Sequence, residues 1–242
     1  MSTTTTPQPD ATPTAATSAA NAARRDAILA RVRAALADVP DAPAEQDTPI
    51  PWVYGRARPM EDLLDRFVDR IIDYRARLTR VTPEGVPDAI VTALREHGVG
   101  SVVLPAGVPP QWRTSVQGSG LRVVGDEPPL GNAELNEVES VVTGAAVAGA
   151  ETGTIVLDHG PDQGRRALSL VPDVHVCVVR ADQVVTDVPE MMPRLRDAVG
   201  RGQPLTWISG GSATSDIELS RVEGVHGPRH LHVVLVEPLG DG

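Results

Sequence analysis

Polar side chains crowd three points of this chain, each at the edge of an otherwise apolar run. The first is ETGTIVLD, residues 151–158, where Glu151, Thr152 and Thr154 precede Ile155, Val156 and Leu157. A carboxylate placed there could act as general base, as nucleophile or as acceptor for substrate hydroxyls. The plainer reading is a turn residue whose side chain caps nearby amides. Residues 145–150, small apart from Val147, allow close backbone approach just ahead of it. The second point is ISGGSATSDIE, residues 208–218. Gly210 and Gly211 let backbone N–H groups converge, and Ser209, Ser212 and Thr214 add hydroxyls, a set suited to a phosphate or carboxylate. No lysine follows and GxGxxG is not matched, so an ordinary glycine-rich loop stands as the other reading. Asp216 and Glu218 share a face only if extended, as paired acids at a site or as a solvated edge.

The third point is GVHGPRHLHVVLV, residues 224–236. Gly224, Gly227 and Pro228 hold His226 in a tight turn, where an imidazole is available for proton transfer. His230 and His232 alternate along a strand, and with His226 they are chemically adequate for zinc. The spacing matches no usual zinc pattern, and no metal is expected. Between the first two points, GPDQGRR places Arg165 and Arg166 on a loop. They could clamp an anion through their forked donors or simply answer an acidic surface. His175 reads as a strand-entry site residue or a hydrogen-bonded core histidine. The catalytic candidates are therefore Glu151, Asp216 and His226. The substrate-binding candidates are Thr152, Thr154, Arg165, Arg166, Ser209, Gly210, Ser212 and Thr214. All are expected to share one pocket at converging strand ends.

Composition narrows the ligands. The 242 residues carry 22 basic side chains, every one an arginine, against 32 acidic ones, for a net charge of −10. Nucleic-acid affinity comes largely from cations on phosphates, so the partners expected are small molecules or proteins. Cys177 is the single cysteine and can build neither a disulfide framework nor a thiolate cluster by itself. Its setting, VHVCVV, marks it as a buried small hydrophobe. The opening residues lack the basic and apolar regions of a secretory signal, and no apolar run approaches the roughly 20 residues of a membrane span. A cytoplasmic protein with no membrane partner is expected.

The elements that must position these groups follow from periodicity. Residues 1–21, rich in Thr, Pro and Ala, predict a disordered tail. Residues 22–58 predict a short amphipathic helix, 24–38, and a proline-rich strap anchored by Trp52 and Tyr54. From residue 59 to 242 the pattern predicts one α/β domain. Helices are expected over 59–78, over 82–97, near 111–116 and over 188–199, the last opened by Asp187 with Glu190 and bent at Pro193. Strands are expected at 101–104, 121–124, 141–145, 154–157, 174–179, 205–208 and 231–236. Short continuous Val and Leu runs between helices imply a mixed or largely parallel sheet covered on both faces by helices.

Taken together, AETGTIVLD, GRRALSLVPDVHVCVV, ISGGSATSDIEL and GVHGPRHLHVVLV resemble, in order, the LUD-domain family of lactate utilisation, over about residues 139–237. The resemblance implies a fold similar to the NagB/RpiA/CoA-transferase group. It also implies work beside companion subunits, at least one bearing iron–sulfur clusters, in oxidising L-lactate to pyruvate, with no cofactor in this chain itself. Glu151 and Asp216 carry over as site candidates. The family commonly reads SGPSATAD where residues 209–216 read SGGSATSD, so Gly211 stands in place of proline and loosens the loop. Two other functions stay open: a self-sufficient isomerase or acyl-transfer enzyme using Glu151, and a non-catalytic scaffold.

Overall fold

The computed structural model describes residues 15–39, 43, 59–214, 222–224 and 226–238. The chain divides between Val53 and Tyr54. In the first unit, α1 spans Ala15–Ala35 and starts earlier than its apolar spacing suggests, since alanine-rich sequence carries helix without help from a buried stripe. The strap anchors Trp52 and Tyr54 lie outside the described residues.

The second unit is built on a six-stranded parallel sheet. Its strands are β1 (Arg77–Val81), β2 (Ser101–Val103), β3 (Arg122–Val124), β4 (Ser140–Thr143), β7 (Val174–Arg180) and β12 (His230–Val236), in spatial order β1-β12-β7-β4-β2-β3. A four-stranded sheet contains β5 (Val147–Gly149), β6 (Thr154–Leu157), β8 (Val184–Val185) and β9 (Thr206–Ile208), ordered β8-β5-β6-β9 with β6 antiparallel to both neighbours. A ribbon joins β10 (Ala213–Thr214) to β11 (Val222–Glu223).

Strand alternation sorts the core. Val174, Val176 and Val178 of β7, with Val234 and Val236 of β12, face α3 (Val86–Glu96) and α4 (Pro110–Gly118). Cys177 and Val179, with Leu231, Val233 and Leu235, face α2 (Leu63–Asp73) and the four-stranded sheet. The outer side of that second sheet is closed by Met191 and Leu195 of α6 (Val188–Gly200). Because both faces of β7 and β12 are covered, their sequences are apolar almost without a break. A short helix, α5 (Asn132–Asn136), follows β3 and buries Leu135.

The predicted α/β class with a largely parallel sheet and flanking helices is what the structure has. The helix expected over 59–78 is shorter. Residues 77–81 leave it and form β1, because pairing with β12 outweighs the helical spacing that Leu78 continues. Among the described residues no helix is long and apolar enough to cross a membrane.

Candidate functional site

The glycine-rich segment leaves β9 at Ser209 and borders a cavity of about 260 Å3. Its walls include Thr206 to Ser212, His226 to Pro228, His175 and Leu231. It lies at the amino ends of β7 and β12, since His175 and Leu231 stand near the start of those strands. The loop is held by its own backbone: Ser212 N–H donates to Pro228 O at 2.7 Å, and Gly224 N–H donates to Ser212 O at 3.0 Å. The His226 N–H donates to Ser212 Oγ at 3.1 Å, which ties the hydroxyl to the histidine turn. Gly210 and Gly211 N–H groups donate to no backbone acceptor among the described residues. They are free to receive an anion.

Both glycines pack closely against neighbouring backbone in this structure. Gly210 has φ +80°, and a Cβ there would lie 2.8 Å from Tyr74 O; a Cβ on Gly211 would lie 2.2 Å from Arg229 O. Gly211 therefore does more than loosen the loop: it admits a backbone approach that a side chain would block.

His175 forms part of the cavity wall and is also core. It is buried, its Nε2 shares a hydrogen with Thr143 Oγ1 at 2.7 Å, and burial pushes its pKa down to about 4. The ring is neutral at pH 7. Cys177, next along the same face, has its thiol pushed up to about 12 by burial, which makes it an inert hydrophobe.

Glu151 lies on the turn between β5 and β6 and borders a separate cavity of about 360 Å3 with Arg70, Asp73, Tyr74 and Thr152. Its carboxylate accepts from Arg66 at 3.4 Å, its carbonyl accepts from Arg70 Nε at 3.2 Å, and its N–H donates to Thr186 O at 2.9 Å. The two cavities are joined by hydroxyls. Thr152 Oγ1 donates to Thr154 Oγ1 at 2.8 Å, and Thr154 Oγ1 lies 2.8 Å from Ser209 Oγ.

The expected single pocket is thus divided. Ser209, Gly210, Ser212 and His226 come together; Glu151 and Thr152 lie next door; Thr154 is the buried link. Arg165 stands apart, and its fork is taken by both oxygens of Asp126, at 2.7 and 2.8 Å, and by Leu130 O. That pairing holds the Asp126 carboxyl below its ordinary range and leaves Arg165 a structural clamp rather than a free anion receptor. Arg166 is exposed at the start of a 3-10 turn. Thr214 sits on β10, and Asp216 lies outside the described residues.

The three late histidines also divide. His232 bonds Thr79 Oγ1 at 2.9 Å, and both His230 and His232 neighbour the His97 ring, at centroid distances of 5.5 and 5.7 Å, whereas His226 borders the small cavity. Among the described residues no group of three or more His, Cys, Asp or Glu side chains is arranged to hold a metal.

Sequence reasoning missed Thr206, Trp207 and Pro228 as wall residues, and Thr143 as the partner of His175. It also missed His159, which follows β6 with φ +59°. The signal available for it was the polar end of the β6 run, LDHG.

A family model, the LUD domain, matches residues 132–236, which contain the glycine-rich loop, the His226 turn and Glu151, while Arg66, Arg70 and Asp126 precede it. Lactate utilization protein C of Deinococcus radiodurans is 53% identical over 188 residues, covering 78% of this chain and 84% of that protein. The chain belongs to the LUD-domain family. Lactate utilization protein C of Bacillus pumilus is 26% identical to this LUD-domain chain over 238 residues, covering 88% of the chain and 96% of the relative. A crystal structure of a DUF162 family protein from Deinococcus radiodurans superposes with a TM-score of 0.63 at 48% identity, covering 74% of this chain and 99% of that one. The LUD domain thus spans α5 to β12 and carries the glycine-rich loop, the His226 turn and Glu151 on one continuous segment.

Proposed function

We propose that this chain serves lactate utilisation as a cytoplasmic subunit without a redox centre of its own, in a multicomponent system that oxidises L-lactate to pyruvate. The kinship with lactate utilization protein C over most of both chains carries this reading. The small cavity at the amino ends of β7 and β12 is where the organic acid binds. Its size suits a three-carbon acid, and its lining supplies two glycine N–H groups, the hydroxyls of Ser209 and Ser212, and the exposed imidazole of His226. Backbone N–H groups and hydroxyls would hold the carboxylate. His226 would take the proton of the 2-hydroxyl as the carbonyl forms.

Converting lactate to pyruvate removes two electrons and two protons, so an acceptor is needed. The family resemblance implies iron–sulfur clusters, but this chain does not fit one: its single cysteine is buried among valines with its thiol pushed up to about 12. We assign the clusters to companion subunits, and the single buried thiol suits a reducing cytoplasm.

The binding claim is tested by thermal denaturation with L-lactate, pyruvate and acetate. L-lactate and pyruvate should raise the Tm, with a smaller rise in Ser212→Ala, which loses the hydroxyl that anchors the His226 turn. No stabilisation of the wild-type chain by either three-carbon acid would overturn the assignment of this cavity.

A further inference from the structure

A larger cavity, of about 820 Å3, takes no part in the proposed lactate chemistry. It is bounded by Leu104–Gly107 after β2, by Gly125–Glu127 after β3, and by His159–Pro161, Gly164 and Arg165 after β6. Topology accounts for its position. From its carboxyl end β2 runs on to β3 on one side, while its other neighbour β4 runs on towards β7 on the opposite side, so the connections leaving these adjacent strands diverge and leave a crevice. Crevices at such reversals of strand order are where open α/β sheets bind ligands.

The rim is closely packed at its glycines. A Cβ on Gly107 would lie 2.5 Å from the Pro161 carbonyl carbon, and one on Gly164 would lie 2.7 Å from Leu168 Cδ1. Gly107 N–H also donates to Pro161 O at 3.0 Å. The opening is therefore preformed, and its size is that of sites for nucleotide-sized molecules.

Among the described residues, the charged lining leaves one cation uncommitted. Arg165 is matched by Asp126, and among the described residues the exposed Glu127 pairs with no cation. Arg113 of α4 is half-buried, gives one N–H to Pro105 O at 2.8 Å, and has no carboxylate partner among the described residues. His159 borders the same space. Its left-handed φ of +59° is strained for a non-glycine residue, and both ring nitrogens are engaged, by Gly164 O at 3.0 Å and Thr206 Oγ1 at 2.8 Å. Burial lowers its pKa, so the ring adds no charge at pH 7. Since Thr206 borders the smaller cavity, the His159–Thr206 bond links the linings of the two spaces.

We propose that the crevice is a second ligand site, for an organic anion of nucleotide size whose phosphate or carboxylate takes the remaining donors of Arg113 and whose body lies on Leu104, Pro105 and Leu168. An arginine fork suits either oxyanion. The site would hold its ligand beside the lactate cavity with the His159–Thr206 bond between them.

The test titrates the full chain with adenosine monophosphate and, separately, with 1-naphthoate, reading Tm and calorimetric affinity. At least one probe should bind, and which one does distinguishes phosphate from carboxylate recognition. Arg113→Gln should weaken that binding by about tenfold or more. Ala106→Trp, which fills the crevice with Arg113 intact, should weaken it as much, while Ser212→Ala should leave it unchanged. Failure of both probes to bind would overturn the proposal, as would an affinity that survives either Arg113→Gln or Ala106→Trp, or one that is lost in Ser212→Ala.

Discussion

The two cavities of the second unit are made by different means. The small one, at the amino ends of β7 and β12, is lined by a contiguous loop rich in glycine and hydroxyls and by a histidine turn close to it in sequence. The larger one, at the carboxyl ends of β2 and β3, draws on segments far apart in the chain and exists because the strand order reverses around β2. One site is written in residue types and the other in connectivity. A ligand site can therefore sit beside a conspicuous motif without sharing any of it, and a motif search alone finds half of such a pair.

The wall between them offers the strongest way to break the comparison. Leu168 is 1% exposed, packs on Val103 and Val141, and borders the larger cavity, while its chain neighbours Ser169 and Leu170 border the smaller. Leu168→Ala should cost about 2–5 kcal/mol in urea unfolding. It should also diminish ligand-induced stabilisation at both sites, and a loss confined to one would show that the wall is not shared.

Next in size is the pH dependence of the two wall histidines. His175 titrates at about 4 in the folded chain because burial disfavours its cation, against an ordinary 6.5 when unfolded. Between those values the unfolded chain binds a proton that the folded chain refuses. The stability is fully present above about pH 6.5 and is lost as pH falls toward 4, by about 1–3 kcal/mol. Urea midpoints across that range should flatten in His175→Leu. His159, lowered in the same direction but less deeply buried, should flatten them less in His159→Leu.

The smallest effect is expected at the Glu151 turn. Its ion pair with Arg66 is exposed, at 39% and 51% side-chain accessibility, and Arg66→Ala should change stability by about 0–1 kcal/mol, less still at high salt. A large loss of lactate-dependent activity in the same variant would move Glu151 from turn residue to site residue.

Much of the sheet was legible because β7 and β12 are buried on both faces and their Val and Leu runs admit no other reading. β1 was not, because RLTRV continues the helical spacing of α2 as far as Leu78, and its pairing with β12 joins residues more than 150 positions apart. In the small cavity, Ser209, Gly210, Ser212 and His226 were legible from type and spacing. Thr206 and His159 were not, since each takes its role from the other across the fold. Arg165 misled for the same reason: its partner Asp126 lies on the loop after β3, and no local pattern announces the pair.

The most direct measurement is pyruvate formation from L-lactate by the proposed iron–sulfur companion subunits, reconstituted with and without this chain. Turnover should require the chain and should fall when Ser212→Ala replaces it. Equal turnover in the chain's absence would contradict its assignment to lactate oxidation.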